Sequence, residues 1–152
     1  MAKSSGGHDY LEPDEYESWN AVLMLNKVVL AELDTALTRA HGITVTEFDV
    51  LITLFNSTDH RLGMTALAER VLLSPAGTTH LVTRLERDGL VRREVDTADR
   101  RKWFSVLTDA GDEKLRTARG THNEVLRRSL FAATTAAERR TLQRVWRRLR
   151  ST

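Results

Sequence analysis

A mainly helical α+β fold, with several amphipathic helices around one β-hairpin, is what this 152-residue sequence predicts. Three features carry that prediction. Apolar residues recur at three- and four-residue steps through most of the chain, the spacing of a helix with one buried face. A single stretch, LVRREVDTADRRKWFSVLT at 90–108, changes to alternation in two runs joined by a short charged turn. The composition, 41% hydrophobic and 29% charged with two prolines and eight glycines, is that of a folded globular chain. The length suits one domain and is short for two with separate cores.

Residues 1–12 read as a flexible tail and 13–152 as the single domain. Pro13 followed by Asp14 and Glu15 suits a first helical turn, where proline needs no amide partner and carboxylates meet the positive end of the helix dipole. Trp19, Val22, Leu23, Asn26, Val29, Leu30, Leu33 and Leu37 then mark a long helix ending near His41-Gly42. Thr44 and Glu47 are spaced as a capping box, and Phe48, Val50, Leu51 and Leu54 supply a second helix. Arg61-Leu62-Gly63 has room only for a stub of strand. Next, Leu67, Ala68 and Val71 share a face and a turn falls at Leu73-Ser74. A helix then begins at Pro75, with Leu81, Val82 and Leu85 inward and Gly89 where it would stop. That is a helix-turn-helix. Leu90, Val91 and Val95 face Trp103, Phe104, Val106 and Leu107 across the hairpin, which must pack on the helices because two strands alone are marginal. Leu115, Ala118, His122, Val125, Leu126 and Leu130 form one further long helical stripe, and Thr135 with Glu138 caps a last helix.

Helix-turn-helix followed by a hairpin is a winged helix, and its residues point to DNA. The helix led by Ser74 and Pro75 turns Ala76, Gly77, Thr79, His80 and Thr83 away from the expected core. Glycine, threonine and histidine are poor helix formers, so a demand other than helix stability accounts for them; a groove approached closely by the backbone is such a demand. Thr78, Thr79, His80 and Thr83 are the candidates for base edges or adjoining backbone. Arg84, Arg100, Arg101 and Lys102 are candidates for phosphate or minor-groove contacts. Asp99 suits a brace that pairs with Arg101 or Arg100 and aims its guanidinium. Net charge is only +2, but arginine concentrates in RLERDGLVRRE, DRRK and RVWRRLR. In the last of these the arginines fall between Leu142, Val145, Trp146 and Leu149, the pattern of a packed helix with a solvated side.

Other classes are disfavoured. Cysteine is absent, which removes disulfides, thiolate nucleophiles and cysteine-based zinc sites. Apolar runs such as VVLA and VLLSPA are far short of a membrane span and MAKSSGGHDY lacks a signal-peptide core, so a cytoplasmic location is expected. His8, His41, His60, His80 and His122 are scattered, and there is neither a glycine-rich phosphate loop nor a nucleophile elbow. No enzyme, cofactor or metal is expected. The competing reading is a non-enzymatic adaptor or architectural winged helix using the same surface for protein contacts.

SPAGTTHLVTRLERDGLVRREVDTADRRKWFSVLTDAG resembles the signature of the MarR family of bacterial winged-helix transcription regulators. The matching positions are Arg84-Leu85, Gly89-Leu90-Val91, Arg93, Asp99-Arg100-Arg101, and Leu107-Thr108 with Gly111. Upstream, GITVTEFDVLITL looks like the family's second helix and Leu67-Ala68-Glu69 like its third. The sequence departs from the family at Thr83, where Asp is frequent, and at His80, where Arg is. The resemblance implies a winged helix-turn-helix DNA-binding head at 44–108 flanked by dimerisation helices at 13–42 and 109–150, with Leu126, Leu130, Leu142, Val145, Trp146 and Leu149 at the subunit interface. It implies a repressor that binds a pseudo-palindrome in double-stranded DNA as a homodimer and is released by a small aromatic or phenolic ligand. Trp19, His41, Asp49 and Arg92 are the candidates to line the ligand crevice. A urate-responsive branch shares a tryptophan on the first helix and Asp in FDVL, but places an arginine where this chain has Leu81, so urate is not assigned.

Overall fold

The computed structural model describes residues 10–71 and 73–151; most of the expected tail, residues 1–9, lies outside them. Helix α1 runs Pro13–His41 and ends on Gly42, whose φ of 66° places it in the left-handed region that glycine occupies freely. Helix α2, Val45–Phe55, starts on the expected capping box: the Thr44 hydroxyl accepts from the Glu47 amide, and the Glu47 carboxylate accepts from the Thr44 amide. Strand β1 (Arg61–Gly63) leads into α3 (Met64–Arg70), a turn, and α4 (Pro75–Arg87), which Ser74 caps by accepting from the Gly77 amide. The hairpin follows as β2 (Val91–Val95) and β3 (Trp103–Leu107), then α5 (Asp109–Leu126) and α6 (Ala136–Leu149). The sheet is antiparallel in the order β1-β3-β2, with Arg61 opposite Val106 and Val91 opposite Leu107. Among the described residues, no helix is long and apolar enough to cross a membrane.

Leu37, Phe48, Leu51, Leu54, Leu67, Val82, Leu85, Val91 and Leu115 are buried in one core where the helices meet the base of the sheet. The stub at 61–63 is what completes it. By pairing with β3 it covers that strand's second edge and makes it the central strand, where Ser105, Val106 and Leu107 are buried in succession and the alternation read from the sequence is lost. The buried Ser105 hydroxyl donates to the Met64 sulfur at 3.1 Å.

One knot explains why glycine and threonine stand at the end of the hairpin. Gly89, at φ 73°, ends the turn after α4. Thr108 donates its hydroxyl to the Gly89 carbonyl at 2.7 Å and accepts from the Gly111 amide at 3.0 Å, so one side chain closes that turn and caps α5. Gly111 then lies against the Leu90 carbonyl; a β-carbon there would sit 2.0 Å from that oxygen. Only glycine lets α5 pass so near.

Three features of the helices at the chain ends appear in the single chain. The stripe on α1 is buried only toward its C-terminal half, at Leu33 and Leu37, while Trp19, Val22 and Leu23 are exposed. Helix α6 buries none of its residues, although Leu142, Val145, Trp146 and Leu149 share its apolar side. The stripe drawn through Leu130 is not one regular helix either: after Leu126 the chain widens into a π turn over Arg127–Phe131, where the Ala132 amide bonds the Arg127 carbonyl.

Candidate nucleic-acid interface

Helix α4 turns Leu81, Val82 and Leu85 into the core, which leaves Ala76, Thr79, His80 and Thr83 exposed on its other side with Gly77 half-buried between them. Ser74 and Pro75 are exposed at its start. Thr78 belongs elsewhere: it is fully buried and its hydroxyl donates to the Ser74 carbonyl at 3.0 Å. As the fourth residue of the helix it falls on the inward side, so it cannot reach a groove and drops out of the contact set.

Arg84 has a partner that the sequence did not suggest. Its Nε donates to Glu47 Oε1 at 2.7 Å, and Glu47 is 5% exposed. The other oxygen of that carboxylate accepts from the amide and the hydroxyl of Thr44. Glu47 therefore caps α2 with one oxygen and holds α4 with the other. On the opposite flank Arg93, in β2, donates from Nη2 to the Thr83 hydroxyl at 2.6 Å. These two arginines clamp α4 between α2 and the hairpin. Neither Glu47 nor Arg93 stood out as a positioning group in the sequence, since capping and strand pairing already accounted for them.

The turn between β2 and β3 is built on carboxylates. The Ala98 amide donates to Asp96 Oδ1 and the Arg101 amide to Asp99 Oδ1, while the Lys102 amide bonds the Asp99 carbonyl. Asp99 also accepts from Arg101 Nε at 3.1 Å, and Lys102 Nζ lies 4.0 Å from it. The Arg101 side-chain bond, followed by the Arg101 amide, holds the Asp99 carboxyl below its ordinary value of 3.8. Arg101 itself is 91% exposed along its side chain, so the brace orients a guanidinium that remains open to solvent. Arg100 and Lys102 are exposed beside it.

The four candidates for a ligand crevice are not brought together within one chain. Asp49 lines a mostly apolar cavity of about 260 Å³ between α1, α2 and α5, with Leu30, Leu33, Phe48, Ile52 and His122. The His122 ring stacks on Phe48 at 4.3 Å between centroids, a partner the sequence reading had used only as part of a stripe. Trp19 is exposed on α1, His41 Nε2 lies 2.8 Å from the Thr121 hydroxyl, and Arg92 donates from Nε to Glu94 at 3.0 Å. Residues on separate helices or on an exposed strand converge only if the packing carries them together, and here it does so for Asp49 alone.

The model of the MarR family matches residues 43–103. The chain is similar to the transcriptional repressor MprA of Escherichia coli (strain K12), with 30% identity over 122 residues, 80% of this chain and 69% of that protein. It is 40% identical over 74 residues to the HTH-type transcriptional repressor YetL of Bacillus subtilis, a match covering 49% of this chain and 44% of YetL, so it spans less than half of that relative. Among solved structures it is similar to Sco3205 of Streptomyces coelicolor, a MarR family transcriptional regulator crystallised in complex with DNA. That likeness has a TM-score of 0.85 and 31% identity, and covers 92% of this chain and 88% of that one.

Proposed function

Because the chain belongs to the MarR family of transcriptional regulators, we propose that it is a repressor that recognises a pseudo-palindromic operator in double-stranded DNA as a homodimer. The observation that carries this reading is the pairing of two surfaces on one rigid frame. Helix α4 offers small or polar exposed residues at 76, 79, 80 and 83, and the adjoining turn holds Arg101 open beside Arg100 and Lys102. A helix with such a face fits the major groove, and guanidinium groups on a neighbouring turn fit the minor groove, whose negative potential attracts them.

Residues 44–108 act as the DNA-binding head in this reading, and the helices at 13–42 and 109–150 join two subunits. The exposed apolar side of α6, the exposed Trp19, Val22 and Leu23 on α1, and a groove of about 360 Å³ lined by Met24, Leu25, Val28 and Leu130 support a second copy at this end. Two-fold pairing presents two copies of α4 about one helical turn, roughly 34 Å, apart. The cavity beside Asp49 and His122 is the place for a small effector, which releases DNA if it favours an arrangement in which the two α4 helices no longer match that spacing.

The reading is tested by selecting bound fragments from the source genome and titrating the enriched duplex against a shuffled one over a range of salt. Tight binding that distinguishes the two, with affinity falling steeply as salt rises, is expected. Equal binding to both duplexes, or a chain that stays monomeric at micromolar concentration, overturns it.

A further inference from the structure

The exposed face of α4 offers methyl groups rather than free hydroxyl protons, and we propose that it reads thymine 5-methyl groups in the major groove, with His80 as its one hydrogen-bonding reader. The inference rests on the DNA-binding reading above and adds what kind of base edge the helix recognises.

Hydroxyl protons decide the matter. The Thr79 hydroxyl donates to the Pro75 carbonyl at 3.0 Å, and the Thr83 hydroxyl donates to the Thr79 carbonyl at 2.9 Å while accepting from Arg93 Nη2 at 2.6 Å. A hydroxyl has one proton, so neither threonine retains one for a base. Thr78 is buried and bonded to Ser74, and the Ser74 hydroxyl accepts from the Gly77 amide as a helix cap. Major-groove edges of guanine are acceptors at N7 and O6, and thymine presents an acceptor at O4 beside its methyl. Ala76, Thr79 and Thr83 offer no donor to those acceptors, which leaves donation to His80 and, at the start of the helix, to the Ser74 hydroxyl; what the three present is the Ala76 methyl and the γ-methyls of Thr79 and Thr83, beside the backbone at Gly77.

The arrangement is also the right length. Ala76, Thr79 and Thr83 follow one another at steps of three and four, so they lie along one side of the helix over about 10 Å. That is about three base-pair steps at 3.4 Å each. Rotating Thr83 to free its hydroxyl breaks its bond to the Thr79 carbonyl and takes the acceptor from Arg93, which loosens the tie between β2 and α4. The methyl therefore faces outward in the arrangement that keeps α4 clamped.

The experiment keeps the protein unchanged in its first arm. Duplexes selected from a random library by the purified full chain are resynthesised with deoxyuridine in place of each thymine in turn, which removes the methyl and leaves every hydrogen-bonding group. Loss of affinity by about three- to fivefold at thymines facing α4, with no loss elsewhere, is expected. In the second arm Thr79→Val binds within about twofold of the parent, whereas Thr79→Ser loses about three- to fivefold and no longer responds to deoxyuridine. A firmly bound operator that is indifferent to deoxyuridine, or one that tolerates Thr79→Ser and rejects Thr79→Val, overturns the inference alone. Selection that enriches no sequence at all overturns the DNA-binding reading and this inference with it.

Discussion

Glu47→Gln separates positioning of α4 from direct contact with DNA, because Glu47 is buried and its hydrogen bond to that helix runs through Arg84. Glutamine keeps one oxygen to accept from the Thr44 amide, so the start of α2 survives, but its amide group then faces a guanidinium that it cannot serve. A hydrogen bond between charged partners contributes about 1.5–3 kcal/mol. The Arg84 side chain is 45% exposed, so solvent screening favours the lower part of that range, and relief of the desolvated carboxylate offsets some of it. The expected loss is about 1–2 kcal/mol, or about 2–8 °C in melting temperature for a chain of this size. Arg84→Ala is expected to cost more, since it strands a buried carboxylate without its cation. Urea unfolding of both variants and the double variant, at one fixed protein concentration, gives the coupling between them. A coupling below about 0.5 kcal/mol refutes the tie. Operator binding adds a test of sign. Simple electrostatics makes Glu47→Gln bind DNA more tightly, because a negative charge is removed and Arg84 is released to a phosphate. Positioning makes it discriminate less well between operator and shuffled duplex. Tighter binding with unchanged discrimination would falsify the positioning role.

Gly111→Ala is expected to destabilise the fold by about 1–3 kcal/mol, because a β-carbon 2.0 Å from the Leu90 carbonyl oxygen forces α5 away from the hairpin. A thermal midpoint equal to that of the parent refutes this. Arg101→Ala is expected to weaken operator binding by about 1–3 kcal/mol and to flatten the salt dependence by about one ion; undiminished affinity in the dimer removes the turn from the mechanism. The folded-state pKa of Asp99 is lowered, so its contribution is present above the ordinary value of 3.8 and is lost as pH falls through the depressed value. Carbon-13 titration checks this, and in Arg101→Ala the Asp99 transition is expected to move back up; an unmoved transition shows that Arg101 is not the cause. Trp146→Glu with Leu149→Glu, placed on the exposed apolar side of α6, is expected to yield monomers in sedimentation, and an unaltered dimer excludes α6 from the interface.

Much of the fold was legible because its signals are local. The capping boxes at Thr44 and Thr135, the glycine after α1, the proline at the start of α4 and the alternation at 90–108 each act within a few residues, and each element forms there. Local spacing even anticipated the Asp99–Arg101 brace, whose partners are two residues apart. The interface set was legible in outline, since helix periodicity separates Thr79 and Thr83 from Leu81 and Val82. It misplaced Thr78, which stands at the border of the two faces, and borders are decided by what packs opposite.

Sequence by itself determined the winged-helix architecture, because backbone propensities, caps and apolar periods are properties of neighbouring residues, and the resemblance of residues 74–111 to a known signature pointed to the family. Tertiary structure alone decided that Arg84 spans 37 positions to a buried Glu47, that Asp49 shares a cavity with His122 while Trp19, His41 and Arg92 stand apart, and that Arg93 of the hairpin reaches the Thr83 hydroxyl. Those outcomes depend on which distant groups burial forces together. A buried charge or hydroxyl proton must find a partner, and the partner is whichever group the completed packing places within 3 Å.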